Sequence, residues 1–274
     1  MGSNQQGLAG GPAVEAAGTT GKGDLFARYG LEFDSYPLED VVARALLPAT
    51  TPQLYCTCNL NHLRQLQGNA DFRAAYARAA VVTVDGRPIR MLARLQAKRD
   101  VPVVTGADMF PALLDALRPG IDRPFFVASS AQAAQILRDK LVARGFDPAD
   151  IGHDSPPYGF ERDAAYSADL VARIAALDAT HLFMGVGAPK SEIWVSRHFA
   201  GLPAAHIFCV GAALDFSSSL KARAPAWVRA LSLEWAHRML SEPRRLLPRY
   251  AGDALFLAQI LAGRKLVPVF PPRP

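Results

Sequence analysis

The sequence predicts an α/β fold in which a largely parallel, Rossmann-like sheet is flanked by helices and followed by a C-terminal helical appendage. Three observations predict it. Short apolar, β-branched or aromatic runs alternate with stretches of helical periodicity through most of the 274 residues. Two of those runs, HLFMGVG at 181–187 and HIFCVG at 206–211, close on glycine, as turns from strand to helix at the working edge of such sheets do. Beyond Phe216 the strand signal stops, and arginine, tryptophan and leucine accumulate.

From Tyr29 to Leu47 the apolar residues first alternate and then fall at helical spacing, which gives a short strand and a helix. LYCTCN at 54–59 reads as a strand, 61–80 as a helix, and VVTV at 81–84 as a buried strand that DGRP stops. MLARLQAKR is helical, PFFVAS at 124–129 is a strand, and the alanine-rich stretch 131–144 is a helix. HDSPPYGFERD combines paired prolines with glycine and aromatics, a loop expected to lie over strand ends, and a helix follows to Leu177. The glycine-terminated strands flank a helix that carries Trp194 and Phe199. Val228, Leu231, Trp235 and Met239 then follow helical steps, so 223–263 reads as helical with interruptions at Pro243 and Pro248, and VPVFPP at 267–272 gives a last strand-like signal.

Half the residues are hydrophobic and a fifth are charged, the balance of a globular protein, and the formal net charge is +5. Such moderate basicity suits a phosphate ester or an anionic lipid surface. Nucleic acid is not expected as a partner: no zinc finger, basic zipper or aromatic RNA-binding signature is present, and the arginines crowd toward the C-terminus. Cys56, Cys58 and Cys209 sit in strand-like runs without ligand-spaced partners, which reads as buried thiols in a reducing cytoplasm. His153, His181, His198, His206 and His237 form no metal pattern, and no cofactor is implied. Residues 1–23 lack the basic and apolar blocks of a secretory signal and are expected to form a flexible tail. No run of about 18 apolar residues is present to span a bilayer.

Three constellations could carry chemistry. Thr57 and Asn59 in TCN could hydrogen-bond a sugar or base, or simply end a strand and cap a helix. Asp85 in VDGRP stands at the mouth of an apolar strand, where it could take a proton from an attacking hydroxyl beside a permissive Gly86, or merely form an Asp-Gly turn. GVGAPKSE at 185–192 is a strand-to-helix turn whose amides could cradle phosphate with Lys190 adding charge, although it matches neither the P-loop nor the dinucleotide fingerprint.

Taken in order, TCN, VDGRP, TGADMF, the SPPYGF loop, GVGAPKSE and RAPAW…LEWAHRM…EPRRLLPRY resemble the WecG/TagA/CpsF family of bacterial glycosyltransferases, family 26, across residues 29–250. The resemblance implies an inverting transfer from a UDP-sugar to an acceptor on a polyprenyl diphosphate, in cell-surface polysaccharide synthesis. It implies an α/β catalytic domain over 24–216 and a helical, arginine-rich appendage over 217–274 that docks on the cytoplasmic face of the membrane. Arginine forks and a basic amphipathic segment suit diphosphate and an anionic leaflet.

By the same resemblance Asp85 is the catalytic base, and Thr57 and Asn59 belong to the active site. Gly86, Arg87, Gly187, Pro189, Lys190, Ser191 and Glu192 join them in contacting substrate. Arg223, Arg238, Arg245 and Arg249 match appendage arginines that would meet the departing UDP and the acceptor diphosphate, and an arginine there could replace a metal. Three positions depart from the pattern: Ser191 stands for glutamine, and Ser219 and Ser232 stand for glycines. The serine at 191 lacks the glutamine's reach, which leaves the sugar open among N-acetylmannosamine, glucose and uronic acid forms. It also keeps alive a non-catalytic UDP-sugar-binding or scaffold role in an assembly complex. The apolar face of the appendage could instead pair with a second copy as a homo-oligomer.

Overall fold

The computed structural model describes residues 23–26, 31–97, 100–220, 225, 228 and 234–269. Apart from Gly23 the predicted tail lies outside them, as do Arg223, Leu231 and Ser232. Six strands form one all-parallel sheet: β3 (Gln53–Cys58), β4 (Ala79–Val84), β5 (Pro124–Val127), β6 (Gly152–Asp154), β7 (His181–Met184) and β8 (His206–Cys209), in spatial order β4-β3-β8-β7-β5-β6. A separate antiparallel pair, β1 (Gly23–Phe26) and β2 (Leu31–Phe33), precedes them.

The strands are apolar on both faces because helices cover both. One side packs α2 (Leu60–Gly68), α3 (Ala70–Ala77), α4 (Arg87–Ala97), α7 (Ala164–Ala176) and α8 (Lys190–His198), with Leu63, Phe72, Tyr76, Ile174 and Trp194 in its core. The other packs α1 (Leu38–Ala45), α5 (Gly106–Ala116), α6 (Ala131–Ala143) and α9 (Ala213–Ser217), with Val41, Phe110, Leu137 and Leu214. Polar side chains start these helices where the chain leaves a strand or turns. Asn59, Asn69, Thr105, Ser130 and Asp163 each accept a hydrogen bond from a backbone N–H of the following first turn.

The three cysteines are free and buried as expected, with Cys56 and Cys209 opposite one another on β3 and β8. Two histidines hold the amino edge of the sheet. His181 Nε2 donates to Ala45 O at 3.0 Å, and His206 Nε2 donates to Leu47 O at 2.8 Å while its Nδ1 accepts from the Tyr55 hydroxyl at 3.0 Å. At the β4 edge, Asp34 N donates to Val82 O and Asp34 Oδ2 accepts from Val82 N, both at 2.8 Å. One residue thereby occupies a donor and an acceptor that an edge strand otherwise leaves open.

Several elements differ from the sequence reading. The helix expected over 61–80 is two helices, because Asn69 ends one and caps the next. Helix α5 begins on glycine and contains Pro111, which hid its periodicity, and β1, β6 and α9 are too short to show one. Among the described residues VPVFPP carries no strand. The last helices are α10 (Glu234–Ser241) and α11 (Pro243–Leu261). Pro243 starts α11 as a first-turn proline should, and Pro248 lies within it without breaking it. Pro248 and Arg244 are both exposed, so the carbonyl deprived of its N–H partner can turn to water. Helix α11 packs on α2 and adds Phe256 and Ile260 to the core.

Ser219, just past α9, has φ +61, a left-handed conformation that costs a side chain and suits glycine. Ser219→Gly is therefore expected to raise unfolding stability by about 0.5–1 kcal/mol, once the greater freedom of the unfolded glycine is subtracted. Denaturant titration of both proteins checks it; an unchanged or lower midpoint contradicts it.

Candidate active site

Parallel strands bring all their following loops to one edge, and the predicted residues gather there. The ends of β4 and β3 are tied by Asp85 N donating to Cys58 O at 2.9 Å, which sets Asp85 beside Asn59. Gly86 follows with φ +97, a conformation that turns the chain into α4 and leaves no side chain next to the carboxylate. Asn59 Oδ1 caps α2 by accepting from His62 N at 3.0 Å, so the cap reading is correct. Thr57 is 5% exposed, one strand position short of the edge. Arg87 is exposed at the start of α4.

The neighbouring pair of strands supplies two glycine turns. Val210 N and Gly211 N both donate to Met184 O at 3.2 Å, which fixes the turn after β8 to the end of β7. Gly187 has φ +84, and a Cβ placed on it would meet nothing within 4 Å, so the space over this turn is open. Pro189 then gives no side-chain cap to α8, whose first residue is Lys190. Ser191 N in the first turn already donates to Gly187 O at 3.1 Å, so the group at this helix start that favours an anion is the Lys190 ammonium.

Ser191 and Glu192 face away from that space. Ser191 is 1% exposed, and its hydroxyl donates back to Gly187 O at 3.3 Å. Glu192, also 1% exposed, lies under the sheet, where its Oε2 has no hydrogen-bond partner and burial pushes its carboxyl up to about 7. Burial first, and then the nearby Glu192 charge, push up the Cys56 and Cys209 thiols, so neither is a nucleophile.

Of the four arginines matched by the resemblance, Arg249 is the one whose side chain is described. Its Nε lies 3.9 Å from Asp253 Oδ2, and Asp253 Oδ1 accepts from Arg64 Nε of α2 at 2.8 Å. Burial, and after it the Arg249 charge, lower His62 to about 3. Because His62 sits in the first turn after Asn59, Arg249 is brought to the β3 end of the site. Arg238 and Arg245 lie on α10 and α11 with side chains outside the description, and Arg223 lies outside it altogether.

The sequence reading missed Tyr158. It stands at the tip of the SPPYGF loop, 97% exposed, with Lys190 Nζ 5.5 Å from its ring centroid. Only the loop's aromatic content hinted at it, since a loop has no periodicity to place a side chain. A shallow depression walled by Ala168, Val171, Arg197 and His198 lies at the far end of α8 from Lys190 and has no part in this arrangement. Among the described residues no group of three His, Cys, Asp or Glu side chains could hold a metal ion.

Comparison with known proteins gives a consistent result. The model of the family described as "Glycosyl transferase WecG/TagA/CpsF family" matches residues 26–267. A Bacillus spizizenii protein named N-acetylglucosaminyldiphosphoundecaprenol N-acetyl-beta-D-mannosaminyltransferase is 28% identical over 194 residues, covering 68% of this chain and 72% of that protein. A Staphylococcus aureus protein of the same name is 29% identical over 98 residues, covering 36% of this chain and 38% of its own length.

The buried groups make stability depend on pH. Burial holds His62 near 3 and His181 near 4, below the ordinary 6.5, so the unfolded chain takes up protons that the fold refuses. That contribution is complete above about 6.5 and is lost as pH falls toward 4. Glu192 acts in the opposite sense, because its raised pKa lets the folded state keep a proton that the unfolded chain releases between 4.5 and about 7. Unfolding free energy should fall as pH drops from 6.5 to 4.5, and Glu192→Gln should steepen the fall by up to ~1.4 kcal/mol per pH unit. Denaturant titrations across that range check both; parallel curves for the two proteins would contradict the Glu192 assignment.

Proposed function

Because the chain belongs to the WecG/TagA/CpsF family of glycosyl transferases, we propose that it moves a hexose or N-acetylhexosamine-type sugar, with inversion, from a UDP-sugar to an acceptor on a polyprenyl diphosphate. The observation that carries this reading is Asp85 held at the end of β4 beside Asn59, three strand spacings from the open turn at Gly187. A base stands on one side and the Lys190 ammonium, for a diphosphate, on the other. The relatives' names, which specify an N-acetylglucosaminyldiphosphoundecaprenol acceptor, support the lipid-linked part.

In this mechanism Asp85 takes the proton of the acceptor hydroxyl as its oxygen attacks the anomeric carbon from the side opposite UDP. The bond between that carbon and the β-phosphate oxygen breaks, and the electron pair leaves with UDP. Lys190 and the appendage arginines meet the charge that develops there, a task for fixed donors in a water-poor site. These groups would serve in place of a metal. Ser191, turned back onto Gly187 O, leaves selection among donor sugars to other contacts.

No helix among the described residues is long and apolar enough to cross a membrane. We assign membrane contact to α10 and α11, where Leu240, Leu247, Leu255 and Leu261 are exposed and Arg244 lies in water among them. Docking at the cytoplasmic surface would bring Arg249, tied through Asp253 to α2, within reach of a membrane-borne diphosphate.

Two measurements test the reading. Asp85→Asn should lower transfer from UDP-sugars to a synthetic polyprenyl-diphosphate acceptor by 100-fold or more, on the order of a general base's contribution, with wild-type turnover surviving EDTA. Activity close to wild type would remove Asp85 from the role. Replacing Arg244, Arg245 and Arg249 together by alanine should weaken flotation with anionic liposomes by roughly tenfold or more at low salt, and by less at high salt. Flotation indifferent to both changes would place the membrane surface elsewhere.

A further inference from the structure

Helix α4 begins two residues after Asp85, and it has an apolar row that the fold leaves uncovered. Ile89, Leu92 and Ala93 are buried in the core on the α2 side of the sheet, and β1 packs against the helix as well. Arg87, Met91 and Leu95 succeed one another at steps of four residues, which sets them in one line along the helix. On that line Met91 is 38% and Leu95 62% exposed. Arg90 and Arg94 form the adjacent line.

The charge beside this row is positive and fixed in place. Asp100 Oδ1 accepts from Arg90 Nε at 2.6 Å and from Arg94 Nε at 2.9 Å, and its Oδ2 accepts from Arg90 Nη2 at 2.8 Å and from Arg94 Nη2 at 2.7 Å. One carboxylate thus aligns two guanidinium groups and cancels only one of them. Lys98 and Arg99, between the helix and Asp100 in the sequence, add to the excess. A second copy presenting the same face would meet like charge, whereas an exposed apolar row flanked by arginines suits an anionic lipid surface. The helix is also on the right side of the molecule: α4 follows β4, α2 follows the adjacent β3, both cover the same face of the sheet, and α11 packs on α2.

We propose that α4 is a second seat on an anionic bilayer, with Met91 and Leu95 entering the headgroup boundary and Arg90 and Arg94 meeting lipid phosphates. This rests on the membrane reading of α10 and α11 given above and adds an orientation to it. A single seat at the C-terminal helices would leave the sheet free to swing about them. A second seat at α4 holds the carboxyl end of β4, and Asp85 with it, at the level of the leaflet where a lipid-linked acceptor carries its diphosphate.

Depth measurement by spin label tests the seat directly. The native cysteines are buried, so a thiol-reactive nitroxide attaches at an introduced one, Leu95→Cys on α4 or, as a control, the exposed Val142→Cys on α6 across the sheet. With vesicles of phosphatidylglycerol and phosphatidylcholine, the ratio of oxygen to nickel-chelate accessibility at 95 should rise by roughly threefold or more, while the label at 142 stays aqueous. In flotation, Leu95→Glu should weaken binding to the same vesicles by about tenfold, and Leu95→Phe should retain it. An aqueous label at 95 on protein that still floats would overturn the α4 seat and leave docking through α10 and α11 standing. An equal response to phosphatidylcholine alone would overturn the part given to Arg90 and Arg94. Spin–spin broadening at 95 without vesicles would give the face to a second copy instead. Failure of wild type to float would overturn both membrane readings together.

Discussion

Parallel strands end at the same edge, and the gathering of the candidate site residues depends on that constraint. A hairpin would return half the loops to the opposite side; right-handed crossovers through helices return none. Here the opposite, amino edge is closed by histidines that bond the carbonyls of Ala45 and Leu47. The carboxyl edge is left to Asp85, Asn59 and the glycine turns. The strand core serves as a ruler: fixed spacing between β4 and β7 sets how far the end of β4, which carries Asp85, stands from the turn at Gly187.

The appendage meets this ruler through one carboxylate. Asp253 accepts from Arg64 of α2 and faces Arg249 of its own helix, and its surroundings are dry enough that burial raises its pKa in spite of both cations. A carboxylate placed between two guanidinium groups in such a setting is expensive to break on one side only. Its two partners lie one on α2, which follows β3, and one on α11. Asn59 and Arg249 are thus linked through α2.

Legibility in the sequence followed length and periodicity. The long apolar runs at 54–59, 81–84, 124–129, 181–184 and 206–209 all became strands of the main sheet, because burial on both faces demands that composition. Gly152–Asp154 escaped notice since a three-residue edge strand needs no apolar pattern, and α5 did because glycine and proline interrupt it. In the site, the turn residues could be read because their backbone geometry demands glycine or proline. Side-chain direction could not be read. Ser191 and Glu192 follow Lys190 directly, yet the helix turns them under the sheet, and Tyr158 comes from a distant loop that only the closed fold brings to Lys190.

The Asp34 closure of β4 has a consequence for how copies of this chain can coexist. A parallel sheet has two open borders, each able to template a further strand from another molecule. At one border the main-chain groups of Val82 are already satisfied by a single aspartate, with the carboxylate replacing a neighbour's carbonyl and adding a negative charge to the margin. At the other border β6 is only three residues long and too short to recruit a partner. Copies brought together at high concentration would therefore meet border to border without knitting their sheets together, and crowding would not become a route to fibrils.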